Sequence, residues 1–342
     1  MIIDCHGHFT TEPQALLAFR TRQIEAVRAG TALPDPHSLE IFDDDLRAGI
    51  EGGQLRLANQ RGIDLTLFSP RAAGMGHHIG DFRVSESWTR ICNDLIYRIC
   101  TLYPDRFIGV AQLPQSPGVS PHTCIAELER CVLEYGFVGC NLNPDPSGGY
   151  FDSPPLTDRF WYPLYEKLVE LDVPAMIHVS GSCNPAQNTT GSYYLNADTM
   201  AFVQLMLSDL FDDFPKLRLI LPHGGGAVPY QWGRLRGIAL QAGRRELDEI
   251  IGANIFFDTS VYHQAGIDLL TSIVPIDNIL FASEMLGAVT LIDPRTGQFF
   301  DDTKRYVDAA VVLSQTDRAK IFELNARRVF ARLARTQKFG AD

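Results

Sequence analysis

Basic residues are in deficit in this chain: 30 Lys and Arg stand against 41 Asp and Glu, for a net charge of −11 at pH 7. Nucleic-acid binding requires a basic face, so that class is excluded at the outset. An anionic small molecule is still admissible, but local arginines would have to draw it in against an unfavourable overall field. No apolar run reaches the roughly 18 residues needed to cross a membrane, so no membrane partner is expected. The N-terminus lacks the basic segment and apolar stretch of a signal peptide, and a strand-like start at Met1 predicts that nothing is removed. Seven cysteines, odd in number and without a Cys-x-x-Cys pair, predict free thiols and a reducing cytoplasm. Internal repeats and low-complexity tracts are also absent. No Gly-x-Gly-x-x-Gly follows a strand, which weakens a doubly wound nucleotide-binding sheet.

What remains is a chain with 45% hydrophobic and 21% charged residues, enough for a sizeable core. Short apolar or β-branched runs recur at Ile2–Cys5, Leu65–Ser69, Phe107–Leu113, Val138–Asn143, Ala175–Val179, Leu217–Leu221, Ile255–Asp258 and Ile279–Ala282. Between them lie amphipathic stretches such as Ser87–Tyr103, Pro121–Tyr135, Phe160–Leu171, Thr199–Phe211 and Gln231–Leu240. Eight strand–helix units over this length predict an α/β fold, a closed (β/α)8 TIM barrel forming one domain over residues 1–342. The interval 9–63 is too long for a simple crossover and is expected to hold an inserted excursion, with an exposed turn at Thr31–Ser38. Residues 285–305 read as a loop or small hairpin. A closing helix is expected at about 316–334, opened by a Thr/Asp cap.

Polar residues mark the ends of these strands. Asp4-Cys5-His6-Gly7-His8 closes the first run, and residues two apart in a strand point the same way, so two imidazoles leave one strand end side by side. His178 ends the fifth run, His223 follows the sixth, and Ser283-Glu284 follows the eighth. In a parallel barrel all these C-terminal ends open on one face, where active sites form. Imidazoles and a carboxylate converging with an open position describe a catalytic metal site of the zinc type. Taken singly, a strand-end histidine is more often a hydrogen-bonded core or surface residue; four in register with a glutamate are not.

His6-Gly7-His8, His178, His223 and a carboxylate after strand eight resemble the amidohydrolase superfamily of metal-dependent barrels. The closing Lys320–Phe330 segment resembles the terminal helix of its decarboxylase-related branch, which uses one zinc. No lysine ends strand four, so the carbamylated-lysine two-metal centre is not expected. One departure stands out: decarboxylating members carry Ser-Asp after strand eight, whereas this chain has Ser283-Glu284-Met285. That tripeptide, with Ser69-Pro70-Arg71 and Gly76-His77-His78, is similar to the branch's hydratases of protocatechuate 4,5-cleavage.

The resemblance implies a hydro-lyase that adds water across the C=C bond of an unsaturated oxo- or hydroxy-tricarboxylate. It assigns His6, His8 and His178 to one Zn²⁺, with Glu284 as fourth ligand or as base for the water, and His223 and Tyr194 as acid/base residues. A small anionic polycarboxylate needs cationic forks, and Arg71 after strand two and Arg234 beyond the strand-six glycines are the candidates. His77 and Asn143 are expected to add polar contacts, although strand-end asparagines often only cap loops. Gly224-Gly225-Gly226 lacks the Lys-Ser/Thr of a phosphate loop and reads as turn chemistry or close backbone approach. Ser180–Asn196 is expected to be a loop covering or lining the site, and a homo-oligomer, dimer or larger, is expected. His37 and His122 are expected to be exposed, while His78, Cys183 and His263 have no assigned role. The alternatives are a metal-dependent decarboxylase of an aromatic or muconate-type acid, a C–C or amide hydrolase, and a non-catalytic scaffold, against which intact metal ligands argue.

Overall fold

The structure, a computed structural model, describes residues 1–336. Eight parallel strands run in chain order: β1 (Ile3–Phe9), β2 (Leu65–Pro70), β3 in two pieces (Phe107–Gly109 and Ala111–Gln112), β4 (Cys140–Leu142), β5 (Ala175–Ile177), β6 (Leu219–Leu221), β7 (Ile255–Asp258) and β8 (Ile279–Leu280). Each pairs with the next. β3 breaks at Val110, whose N–H goes back to Phe68 O at 2.8 Å, while Ala111 N–H goes forward to Gly139 O at 2.9 Å. The interruption hands the strand from one neighbour to the other. The ring closes where Cys5 N–H donates to Phe281 O at 2.9 Å, beside β8.

The barrel interior is an apolar plug in which Ile3, Cys5, Leu65, Leu67, Met176 and Leu280 meet. Ala326, Val329, Phe330 and Leu333 pack into the same cluster, so the C-terminal segment seals one end of the barrel. That segment is helical over Gln315–Ala319, Lys320–Leu324 and Asn325–Val329, and is opened by Ser314, which accepts from Asp317 N–H at 3.1 Å. The excursion after β1 holds three α-helices, Gln14–Ala29, Asp43–Gly52 and Gln54–Arg61, with a short 3-10 turn at Pro36–Ser38 between the first two. Residues 285–303 carry no helix or strand beyond a single antiparallel bridge, Ile292 to Phe299.

Two differences from the sequence reading bear on the site. β1 runs on to Phe9 rather than stopping at Cys5, carrying both histidines inside the strand. Helix begins well inside the expected 180–196 loop, because Asn188 Oδ1 accepts from Gly191 N–H at 2.7 Å and starts a turn leading into the helix Tyr194–Met206. No helix among the described residues is long and apolar enough to cross a membrane.

Candidate metal centre and active site

Ile3 and Cys5 point into the apolar plug, so strict alternation would turn His6 and His8 away from the barrel axis. A bulge prevents this. Asp4 pairs with Thr66 but Gly7 with Phe68, so β1 holds one residue more than β2 over this stretch. The buried Asp4 stabilises it, accepting from His6 N–H at 3.1 Å and from both the N–H and hydroxyl of Ser283. Gly7 is required between the histidines: a Cβ there would sit 2.3 Å from Thr66 Cγ2.

Four imidazoles are each anchored through Nδ1. His6 Nδ1 meets Asp258 Oδ2 at 2.7 Å, His178 Nδ1 meets Val179 O at 2.8 Å, and His223 Nδ1 meets Asp198 Oδ2 at 2.9 Å. His8 Nδ1 meets Ser69 Oγ at 2.8 Å, and that hydroxyl has the carbonyls of Gly7 and Pro70 within reach of its own proton. These partners put the imidazole protons on Nδ1 and leave the Nε2 lone pairs of His6, His8 and His178 facing inward. His8 Nε2 then stands 3.0 Å from His6 Nε2 and 3.3 Å from His178 Nε2. Three converging lone pairs repel unless a cation lies among them. Tetrahedral ligands 2.0–2.1 Å from one ion stand about 3.3 Å apart, so this spacing fits a single bound metal. One atom each of His6, His178, His223 and Glu284 also falls within 4.8 Å of the others.

Burial, with the neighbouring imidazole His6, brings His8 down to about 3, and burial with His8 holds His178 well below the ordinary histidine range. Both rings are therefore neutral at physiological pH, as metal ligation requires. His223 behaves oppositely. Burial works against its charge, but Asp198 and Glu284 outweigh that and raise it well above the ordinary value. Among the described residues its Nε2 has no hydrogen-bond partner, and it lies 3.9 Å from Glu284 Oε1.

Glu284 is 4% exposed and sits on a left-handed backbone, φ +53°, as does His223 at the same φ. For residues other than glycine this conformation is costly and clusters at functional sites. Glu284 N–H donates to His6 O at 3.1 Å, locking it to β1, and Oε2 accepts from the Tyr262 hydroxyl at 2.5 Å. Burial alone would raise this carboxyl, but His223 and His6 hold it below the ordinary range. Tyr194 stacks on His223, with ring centroids 5.1 Å apart, and burial pushes its hydroxyl pKa up.

Beside this cluster opens a cavity of about 370 Å³, lined by His8, Arg71, Tyr194, Glu284 and four threonines, Thr10, Thr11, Thr190 and Thr290. Of the residues singled out from sequence, the imidazole cluster and the cavity beside it together take in His6, His8, His178, His223, Glu284, Tyr194 and Arg71. They do not bring in the other three. Arg234 is exposed on the helix Trp232–Gln241, because three consecutive positive-φ glycines turn the chain before that helix and put Leu235, not Arg234, on its buried side. His77 is buried, its Nδ1 near Gln115 O at 3.1 Å and Ser85 Oγ at 3.3 Å, outside the cavity lining. Asn143 caps its own loop, accepting from Asp145 N–H at 2.8 Å and passing its N–H to Gln115. Gly226 answers the glycine question: a Cβ there would meet Leu195 O at 2.4 Å, so the run serves close packing against a helix. His37, His122, His263 and Cys183 are exposed. Sequence reasoning missed Asp258, Asp198, Ser69 and Tyr262. Only Asp258, a carboxylate ending the run Ile255-Phe256-Phe257, carried a visible signal.

The chain matches the Amidohydrolase family over residues 3–332. It belongs to the amidohydrolase family. This amidohydrolase is 60% identical over 333 residues to 2-keto-4-carboxy-3-hexenedioate hydratase of Sphingobium sp. SYK-6, covering 97% of each chain. It superposes with a TM-score of 0.91 on the crystal structure of 4-oxalomesaconate hydratase, LigJ, from Rhodopseudomonas palustris, at 57% identity and covering 98% of this chain and 97% of that one. Gamma-resorcylate decarboxylase of Rhizobium sp. MTP-10005 is more distant, 30% identical over 82% of this chain and 87% of its own.

Proposed function

We propose that this amidohydrolase is a metal-dependent hydratase that adds water across the C=C bond of a 4-oxalomesaconate-type tricarboxylate in protocatechuate 4,5-cleavage. The observation that carries this reading is the pairing, in one buried site, of a carboxylate held ionised with an imidazole held protonated. Environments that push two groups' pKa values apart assign the base and the acid. The full-length likeness to two hydratases, at 60% and 57% identity, supports the same reaction class.

The ligand set of this reading is His6, His8, His178 and one oxygen of Glu284, holding one zinc ion. Imidazole and carboxylate donors also suit manganese, and metal analysis of the purified protein distinguishes the two. Bound there, the ion supplies the Lewis acidity that brings the pKa of water from 15.7 to about 7. The remaining steps belong to the protein. Glu284 takes a proton from the attacking water as the new C–O bond forms. The π pair moves toward the conjugated carbonyl, and His223, oriented by Asp198, returns a proton to the neighbouring carbon. Tyr194, whose hydroxyl keeps its proton, donates a hydrogen bond where negative charge develops. Arg71 receives a substrate carboxylate as a bidentate fork. The seven free thiols accord with a cytoplasmic enzyme.

Reaction in H₂¹⁸O is the test. A product of substrate mass plus one labelled water is expected, with no gas evolved. Stoichiometric CO₂ release would place the chain with the decarboxylases instead. A second expectation concerns the hydrogen bond from Tyr262 to Glu284. Tyr262→Phe removes one bond to a charged group, worth about 1.5–3 kcal/mol. If all of it acts on the transition state, kcat falls roughly 10–100-fold with the metal still bound, as paired kinetic and metal analyses would record.

A further inference from the structure

Glu12 follows two threonines that line the cavity, Thr10 and Thr11. Its side chain is 8% exposed and lies 3.9 Å from Nη1 of Arg71, the one Lys or Arg in the cavity lining. Among the described residues no donor hydrogen-bonds to this carboxylate, and the guanidinium of Arg71, on a side chain 49% exposed, makes no hydrogen bond either. Buried carboxylates usually collect charge-assisted hydrogen bonds. Here a nearly buried acid and an unsaturated guanidinium are held together by one loose ion pair at the mouth of the site. A fork with five donors can leave such a partner for a substrate carboxylate that meets it bidentately.

That exchange sets a second negative charge beside Glu12 in a partly desolvated mouth, which favours its neutral form. We propose that Glu12 and Arg71 form a proton-linked carboxylate clamp: Glu12 holds Arg71 over the cavity in the free enzyme and takes a proton from solvent when a substrate carboxylate takes the guanidinium. The proposal rests on the tricarboxylate reading above and names the group that recognises one of the three carboxylates. Burial, opposed by Arg71, already pushes Glu12 up to about 7, so the proton is available near neutral pH. The Cys92 thiol, which feels Glu12 from the helix Phe82–Leu102, is held neutral chiefly by burial. Arg20 from the helix Gln14–Ala29 faces that same thiol, and Glu284 across the cavity stays ionised beside His223, so none of these competes for the proton.

Measuring KM against pH from 6 to 9 tests the clamp. For the unmodified holoenzyme KM is expected to rise above pH 7, approaching about tenfold per pH unit. For Glu12→Gln, which imitates the neutral acid, KM stays flat and falls below the unmodified value at pH 8.5. On an Arg71→Gln background the Glu12 substitution loses its effect. A Glu12→Gln profile parallel to the unmodified one, or a KM raised equally at every pH, overturns the proposal and leaves Glu12 as a prop for Arg71. Should Glu12→Gln not fold, calorimetric titration of the unmodified holoenzyme with tricarballylate at pH 7.5, in two buffers of different ionisation enthalpy, reads proton uptake directly. Uptake of up to one proton is expected and none overturns the clamp. Tricarballylate binding needs no turnover, so uptake without hydration would spare the clamp and sink the hydratase reading, whereas hydration with a pH-independent KM would do the reverse.

Discussion

Glu284→Gln should lower kcat by about 10²–10⁴-fold, the range for loss of a positioned general base, while the protein keeps its metal. Gln retains the shape and one oxygen of the side chain, so it can still accept from Tyr262 and leave the three imidazoles undisturbed. What it lacks is the charge that holds a water proton. It also removes the negative partner that, with Asp198, keeps His223 protonated. Both proton-transfer groups are thus weakened by one substitution, which makes this the largest loss expected from any change that leaves the metal in place. Metal content and kcat must be measured on the same preparation. Near-normal turnover in a metal-loaded Glu284→Gln protein would rule out the assigned role, and loss of metal with loss of activity would make Glu284 chiefly a ligand.

The residues that could be picked out from sequence share one property: they interrupt apolar strands at their C-terminal ends. His178, His223 and Glu284 stand where β5, β6 and β8 finish, and a parallel barrel gathers such positions on one face. The bulge in β1 could not be read the same way, because Asp4, Cys5, His6, Gly7 and His8 are compatible with regular alternation. Its cause is long-range, in the bonds from Ser283 to Asp4. Asp198 and Tyr262 were hidden for a related reason. Asp198 lies on the helix Tyr194–Met206 and Tyr262 in the turn after β7, and nothing local separates a carboxylate that orients a histidine from one that faces solvent. Arg234 differs in the opposite direction: its place after the glycines suggested the cavity mouth, but the chain turns through three positive-φ glycines, with Gly226 against Leu195 O, and the helix that follows leaves Arg234 exposed outside this chain's cavity lining.

Asp258→Asn should weaken metal affinity by about 10–100-fold, the usual cost of removing a partner that orients a metal-ligating histidine. Asp258 is fully buried and receives His6 Nδ1–H, the N–H of Gly224 and both the N–H and hydroxyl of Ser260. It therefore joins β1, the β6 turn and the β7 end at one carboxylate. Burial would raise its pKa, but the hydrogen bond from His6, the charged His223 nearby and the N–H of Ser260 hold it below the ordinary range. The carboxylate is thus ionised through neutral pH and fixes the proton of His6 on Nδ1, so that Nε2 presents a lone pair. An Asn amide can offer its NH₂ to Nδ1 instead, which moves the proton to Nε2 and turns a ligand into a group that repels the cation. Titration of the metal-free protein with zinc, read by competition with a chromophoric chelator, gives the affinity directly. Removing the metal with a strong chelator should abolish turnover in both proteins, and restoring activity to Asp258→Asn should require 10–100-fold more free zinc. Equal zinc affinity in the two proteins would show that His6 is not held as a ligand by Asp258, and the site would then have to be rebuilt around His178, His223 and Glu284.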